Sequence, residues 1–250
     1  MEQAETPIPA HGVVQPMQCL SEGYALISPQ YMPLAAICFV GTLIGSLVPA
    51  GILMGPMFCG IHLCLQQRRE GGQATFDLLF KGFDYAGDSI IAMLIFAGIY
   101  IVMYIPMVFG FLILAPLMLI ATVGQGGKSS GIALAGMGGA VVLSVLAISL
   151  LVAILGTVVW STMGLIVEWK VKPWQAVKTA FRGLMENFLG TVGLGLLCGL
   201  VHLAGALCCG IGIFFTTPIV FAAYFCAYKQ VFGQRPPELV GTAKAECETL

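Results

Sequence analysis

Residues 187–228 read NFLGTVGLGLLCGLVHLAGALCCGIGIFFTTPIVFAAYFCAY, 42 residues without one Asp, Glu, Lys or Arg. A helix needs about 20 consecutive apolar residues to cross the hydrocarbon of a bilayer. Cys208-Cys209-Gly210 divides the run into two pieces of that size, 188–207 and 211–229, which predicts a helical hairpin. Three further runs are free of charge, 23–67, 89–127 and 129–167, of 45, 39 and 39 residues. The chain of 250 residues is 58% hydrophobic and 9% charged, with a mean hydropathy of +0.95. Soluble domains carry about 25% charged residues, so the expected class is all-α, a polytopic transmembrane helix bundle. A net charge of -1 gives no basic face, and no nucleic-acid partner is expected.

Breakers set the expected spans. Pro49-Ala50-Gly51 cuts the first run into spans 31–48 and 51–67; one long helix kinked at Pro49 is the alternative. Pro106 and Pro116 make 89–122 a long kinked span, GQGGKSSG (124–131) is a turn, and 137–166 follows, loosened by Gly136–Ala140. The bundle therefore has about six spans, or five with a single first helix. Residues 1–30 form a polar N-terminal tail, disordered to about residue 15, with an interfacial lead-in helix over 17–27 carrying Met17, Leu20, Tyr24 and Ile27. Residues 31–232 are the transmembrane domain and 233–250 a cytoplasmic tail. Nothing basic precedes Arg68, so no signal peptide is expected.

Cytoplasmic loops hold the excess of Lys and Arg. Segment 68–88 carries Arg68, Arg69 and Lys81; segment 168–186 carries Lys170, Lys172, Lys178 and Arg182; the tail carries Lys229, Arg235 and Lys244. That is 10 of the 11 basic residues, and six spans put all ten on one side with both termini cytoplasmic and Lys128 alone opposite. Five spans move only the N-terminus across.

Two basic segments look amphipathic. Phe76, Leu79, Phe80 and Phe83 repeat at i, i+3, i+4, i+7 opposite Asp77, Lys81 and Asp84; Val177, Ala180, Phe181 and Leu184 do so opposite Lys178, Arg182 and Glu186. They predict cytoplasmic interfacial helices over about 73–86 and 173–187, with Trp169 and Trp174 at headgroup depth. Phe80-Lys81-Gly82-Phe83 matches Phe181-Arg182-Gly183-Leu184 at an offset of 101, a hint of internal duplication. The basic residues Lys81, Lys170, Lys172, Lys178 and Arg182, with Trp169 and Trp174, are the candidate contacts for the bilayer, anionic lipids or subunits of a membrane complex.

GPMFCGIHLCLQQRREGGQATFDLLFKGF (55–83), KPWQAVKTAFRGLMENF (172–188) and GIGIFFTTPIVFAAYFCAYKQVF (210–232) resemble bacterial multi-pass inner-membrane proteins, the YciC-like and related domain-of-unknown-function families. The shared pattern is a Gly-Pro-x-x-x-Gly helix, a Leu-Phe-x-Gly-Phe element, an amphipathic Trp-x-Ala segment and a final proline-bearing helix. The resemblance implies a multi-pass protein of the bacterial inner membrane over residues 30–232, and brings no chemistry.

An ion-coupled carrier needs ionisable groups inside the membrane. Taken by the run boundaries, the spans hold none except histidines, which argues against coupling and against intramembrane aspartyl proteolysis. Gly124–Lys128 lacks the spacing of a phosphate-binding loop. The Cys59-x-x-His62-x-Cys64 and Cys198-x-x-x-His202 patterns offer metal ligands, but they fall near opposite surfaces and read as packing, so no metal and no cofactor is expected. GxxxG pairs at Gly41/Gly45, Gly51/Gly55 and Gly195/Gly199 also read as packing. The expected function is non-catalytic: a lipid-interacting scaffold or accessory subunit of a membrane complex. The alternative is an uncoupled transporter or channel for a small neutral or apolar solute, with helices broken at Pro106, Pro116 and Pro218 around a cavity lined by His202, Thr216, Thr217 and Tyr224.

Overall fold

The computed structural model describes residues 12–47, 51–123, 139, 151–152, 154–207 and 211–233. The N-terminal residues before 12, the turn at 124–131 with Lys128, most of 132–150, Cys208-Cys209-Gly210 and the tail with Arg235 and Lys244 lie outside the described residues. Among the described residues every regular element is helical. In order they are α1 (Pro16–Ile27), a 3-10 turn (Ser28–Gln30), α2 (Tyr31–Leu47), α3 (Met54–Arg69), α4 (Phe76–Phe80), a 3-10 turn (Lys81–Tyr85), α5 (Ala86–Val123), α6 (Ile154–Trp169), α7 (Pro173–Glu186), α8 (Phe188–Leu207) and α9 (Ile211–Phe232). Four stretches are long and apolar enough to cross a membrane: Pro16–Leu47, Phe76–Ile105, Phe188–Leu207 and Gly212–Phe232. At 16 residues, α3 rises only about 24 Å, and Ile154–Trp169 is likewise short.

The segment expected to lie apart as an interfacial lead-in instead packs along α9. At one end, Gln230 Oε1 accepts from the Gln15 N–H at 3.0 Å and the Cys19 thiol at 3.1 Å. Midway, a Cβ on Gly23 would come within 3 Å of the backbone of Ala222 and Ala223. At the other end, the Tyr31 hydroxyl donates to the Phe215 carbonyl. Residue numbers fall along α9 as they rise along α1, so the two are antiparallel. The buried face is Cys19, Gly23 and Ile27, while Met17 and Tyr24 are exposed. Of the expected apolar stripe, Ile27 is buried and Leu20 packs against the core; the contact is completed by the small residues Cys19 and Gly23, which let two backbones approach.

α2 and α3 form a hairpin, since Gly45 abuts Met54 and Gly41 abuts Ile61. α2 and α3 are thus two helices folded back on each other and not one continuous helix, while Pro49 itself lies outside the described residues. α4 and its 3-10 turn lie against the middle of α3, where Gly60 and Gly82 face one another: a Cβ on Gly60 would overlap the Leu79 carbonyl, and one on Gly82 the Pro56 carbonyl. Of the four residues read as one apolar face, only Leu79 is buried, and Phe76, Phe80 and Phe83 are exposed. The matching glycine, Gly183, packs instead against Phe232 and Val231 of α9. Elements matched by the offset of 101 thus pack differently.

α5 runs without a break for 38 residues through Pro106 and Pro116, about 57 Å against roughly 30 Å of hydrocarbon. α6 stops where Lys170 takes a left-handed conformation at φ 51°, and Pro173 starts α7 at its first turn. The turn into α8 is tied by the Thr191 hydroxyl, which donates to the carbonyls of Leu184 and Asn187 at 3.2 and 3.0 Å.

Candidate functional site

Four polar side chains meet where α3, α6 and α9 approach their C-terminal ends. Glu168 is the last but one residue of α6, Tyr228 and Lys229 lie in the final turns of α9, and His62 stands in the second half of α3. Lys229 Nζ is 2.6 Å from both carboxylate oxygens of Glu168. His62 Nε2 is 2.9 Å from Oε1, and the Tyr228 hydroxyl donates to Oε2 at 3.2 Å. The group is shielded from bulk solvent: His62 and Tyr228 are fully buried, and the side chains of Glu168 and Lys229 are 3% and 6% exposed. An isolated buried charge is prohibitively costly, so the pair and its hydrogen bonds must form together.

The surrounding shell is aromatic. The His62 ring lies 5.0 Å from Phe225, 5.2 Å from Tyr228 and 6.1 Å from Trp160. Lys229 Nζ sits 5.5 Å from the rings of Phe225 and Tyr228, within range of their negative faces. Gly164 makes the arrangement possible, since a Cβ there would come within 2.8 Å of His62 Cε1 and the Tyr228 ring. A carboxylate held by an ammonium only accepts, so Nε2 carries the imidazole hydrogen. That leaves Nδ1 with a bare lone pair, and it is buried with no hydrogen-bond partner among the described residues.

This site corrects the premise that histidines are the only ionisable groups inside the helices. Glu168 closes the charge-free run 129–167 and Lys229 closes 187–228, so counting by runs placed both in loops. Their helices continue past them, α6 by one residue and α9 by three. The available signal was two opposite charges at the edges of two apolar runs, each still in helical register.

The expected contact residues form a different surface. Lys170, Lys172, Lys178, Arg182 and Trp174 are exposed, and Trp169 is partly buried against the core. Lys178 Nζ lies 5.2 Å over the Trp174 ring, and Arg182 pairs with Glu186 at 3.0 Å. Lys81 is exposed at the start of the 3-10 turn that follows α4. The candidate cavity residues lie on α8 and α9. Thr216 and Thr217 donate to the Ile213 carbonyl of their own helix at 3.3 and 2.7 Å, His202 is half-buried on α8, and Tyr224 is buried with Thr157 hydrogen-bonded to it. Pro218 lies inside α9, and Gly205 meets Gly212 backbone to backbone, which closes α8 onto α9.

The described members of the two Cys/His patterns have separate partners. The Cys59 thiol faces Met163 Sδ at 3.8 Å, Cys64 faces the Thr75 carbonyl at 3.6 Å and His62 faces Glu168. No group of three His, Cys, Asp or Glu suited to a metal ion occurs among the described residues. Comparison with protein-family models, curated proteins and solved structures gives no match to this chain, so the resemblance to inner-membrane families rests on the three quoted segments alone.

Proposed function

We propose that the protein is a non-catalytic scaffold of the bacterial inner membrane that holds anionic lipid headgroups at its cytoplasmic surface, alone or as an accessory subunit of a membrane complex. The observation that carries the reading is the two-faced character of α7. Pro173, Ala176, Val177, Ala180, Gly183 and Leu184 are buried against the bundle. Trp174, Lys178, Phe181 and Arg182 point away from it. An outward face mixing aromatic rings with cations suits the headgroup layer, where rings meet the acyl boundary and cations meet phosphate. In this reading the chain crosses about six times, with α1 and α2 together as the first crossing and both termini cytoplasmic. The pairing of Gln15 and Cys19 with Gln230 supports that choice, because it brings residues 12–19 to the end of α9.

The test is lipid retention. The full chain is purified in mild detergent and bound phospholipid measured by mass spectrometry. The wild type is expected to keep anionic lipid, and K178E/R182E to lose it. At about 1 kcal/mol for each basic residue near an anionic surface, losing both lowers retention roughly 30-fold. Repeated recovery of the wild type without lipid or partner would sink the reading.

A further inference from the structure

The buried polar groups do not stop at Glu168. Thr157, Ser161, Gly164 and Glu168 recur at i, i+4, i+7, i+11, one face of α6, and Tyr224 and Tyr228 share one face of α9. Thr157, Ser161, Glu168, Tyr224 and Tyr228 are all buried. Glu168 bonds Tyr228, and Thr157 bonds Tyr224, so the two stripes face each other at both ends. Between them Gly164 abuts His62 and Tyr228. From Thr157 to Glu168 the stripe rises eleven steps of α6, about 16 Å at 1.5 Å per residue, or half of a hydrocarbon core of about 30 Å. Two buried atoms along it, His62 Nδ1 and Ser161 Oγ, have no hydrogen-bond partner among the described residues. Polar atoms in that condition are the kind that ordered water satisfies.

We propose that this seam is a proton path, with Glu168 the proton-binding group and His62 the relay to it. In the resting arrangement Nε2–H donates to the carboxylate and Nδ1 is bare. A proton delivered by water in the seam binds Nδ1, and the Nε2 hydrogen passes to Glu168 Oε1. One N–H bond forms and one breaks, the imidazole ends neutral in its other tautomer, and the carboxylate becomes a carboxylic acid. Ionisable groups facing Glu168 among the described residues include His62 from α3 and Tyr228 and Lys229 from α9, and Arg69 and Glu70 at the end of α3 act on Lys229 in turn. Arrival of the proton strips Lys229 of its counter-charge, so proton binding is coupled to how firmly α9 is held to α6. An ionisable cluster of this kind inside a helix bundle marks function by default, and this one lies apart from the lipid-facing surface of α7.

The experiment uses the full chain in lipid nanodiscs, stepped from neutral to acid pH and followed by time-resolved infrared difference spectroscopy in the protonated-carboxyl region. The wild type is expected to develop a carboxyl band that disappears in E168Q and shifts in E168D, which keeps the charge opposite Lys229. H62F is expected to keep the band but fill it about 10²-fold more slowly, the scale of a lost proton-transfer group. S161A, which removes a single hydroxyl, slows filling to a smaller degree. Should E168Q not fold, the E168D shift and the H62F rate decide. A wild type without a band that either Glu168 variant alters overturns the proposal, as does a band that fills at the same rate without His62.

Discussion

Removing one member of the Glu168–Lys229 pair should cost far more than removing both. Two unit charges 2.6 Å apart attract by about 6 kcal/mol at an effective dielectric constant near 20. Desolvation of two buried ions costs several kcal/mol each and offsets most of that gain. The net worth of the intact pair is therefore small, but an ion left alone keeps its whole desolvation cost. K229M takes the ammonium away from a carboxylate that His62 and Tyr228 also contact, and E168Q leaves the ammonium facing a neutral amide. Each is expected to destabilise by ~3–5 kcal/mol. The double variant E168Q/K229M removes both charges while leaving an amide oxygen to accept from His62 and Tyr228, and should stand within about 1–2 kcal/mol of the wild type. Unfolding in mixed micelles, followed by tryptophan fluorescence, gives all four corners of the cycle. A coupling below about 1 kcal/mol, or a double variant as unstable as the sum of the singles, would refute the buried ion pair as the fastening of these helices.

G60A and G82A each place a methyl group in a neighbouring backbone carbonyl and should destabilise by ~1–3 kcal/mol or more, whereas G98A, with nothing within 4 Å of its Cβ, should be neutral or slightly stabilising; thermal melting in detergent compares the three. G23L forces α1 off α9, and the newly opened contact should render the buried Cys19 reactive to a thiol reagent where the wild type is protected. Single cysteines in a cysteine-free background at exposed Gln18 and Lys172 should label from one side of the membrane, and at exposed Leu207 from the other. Labelling of Gln18 from the Leu207 side would remove the six-span reading with both termini cytoplasmic.

The helices themselves were legible because 20-residue apolar stretches bounded by Gly and Pro admit little else. Spans expected at 188–207 and 211–229 match α8 and α9 closely, and Pro173 marked the start of α7. What lies between helices was less visible. The α1–α9 contact runs through Gly23, Ala222 and Ala223, small residues that a hydrophobic pattern ignores. The site is hidden in the sequence for a related reason: charge-free runs understate the extent of the helices, since a helix end tolerates a charge when another helix end supplies its opposite. Glu168 and Lys229 are unremarkable in their own segments, and only the convergence of α6 and α9, 61 residues apart in sequence, makes them one feature. His62 was read as a packing residue, and its fully buried ring among aromatic neighbours does pack, although its ring nitrogen also completes the carboxylate cradle.

The seam between α1 and α9 also bears on how the bundle is assembled. Gln15 meets a partner 215 positions further along the chain, and no earlier segment supplies that contact. At synthesis rates of about 5–20 residues per second, α1 waits roughly 10–40 s for α9 to emerge. For that interval the face of Cys19, Gly23 and Ile27 is open to lipid, to the insertion machinery or to another newly made chain. The α1–α9 seam thus closes late in synthesis, and exchange of α1 between two chains is a misassembly to which this topology is exposed.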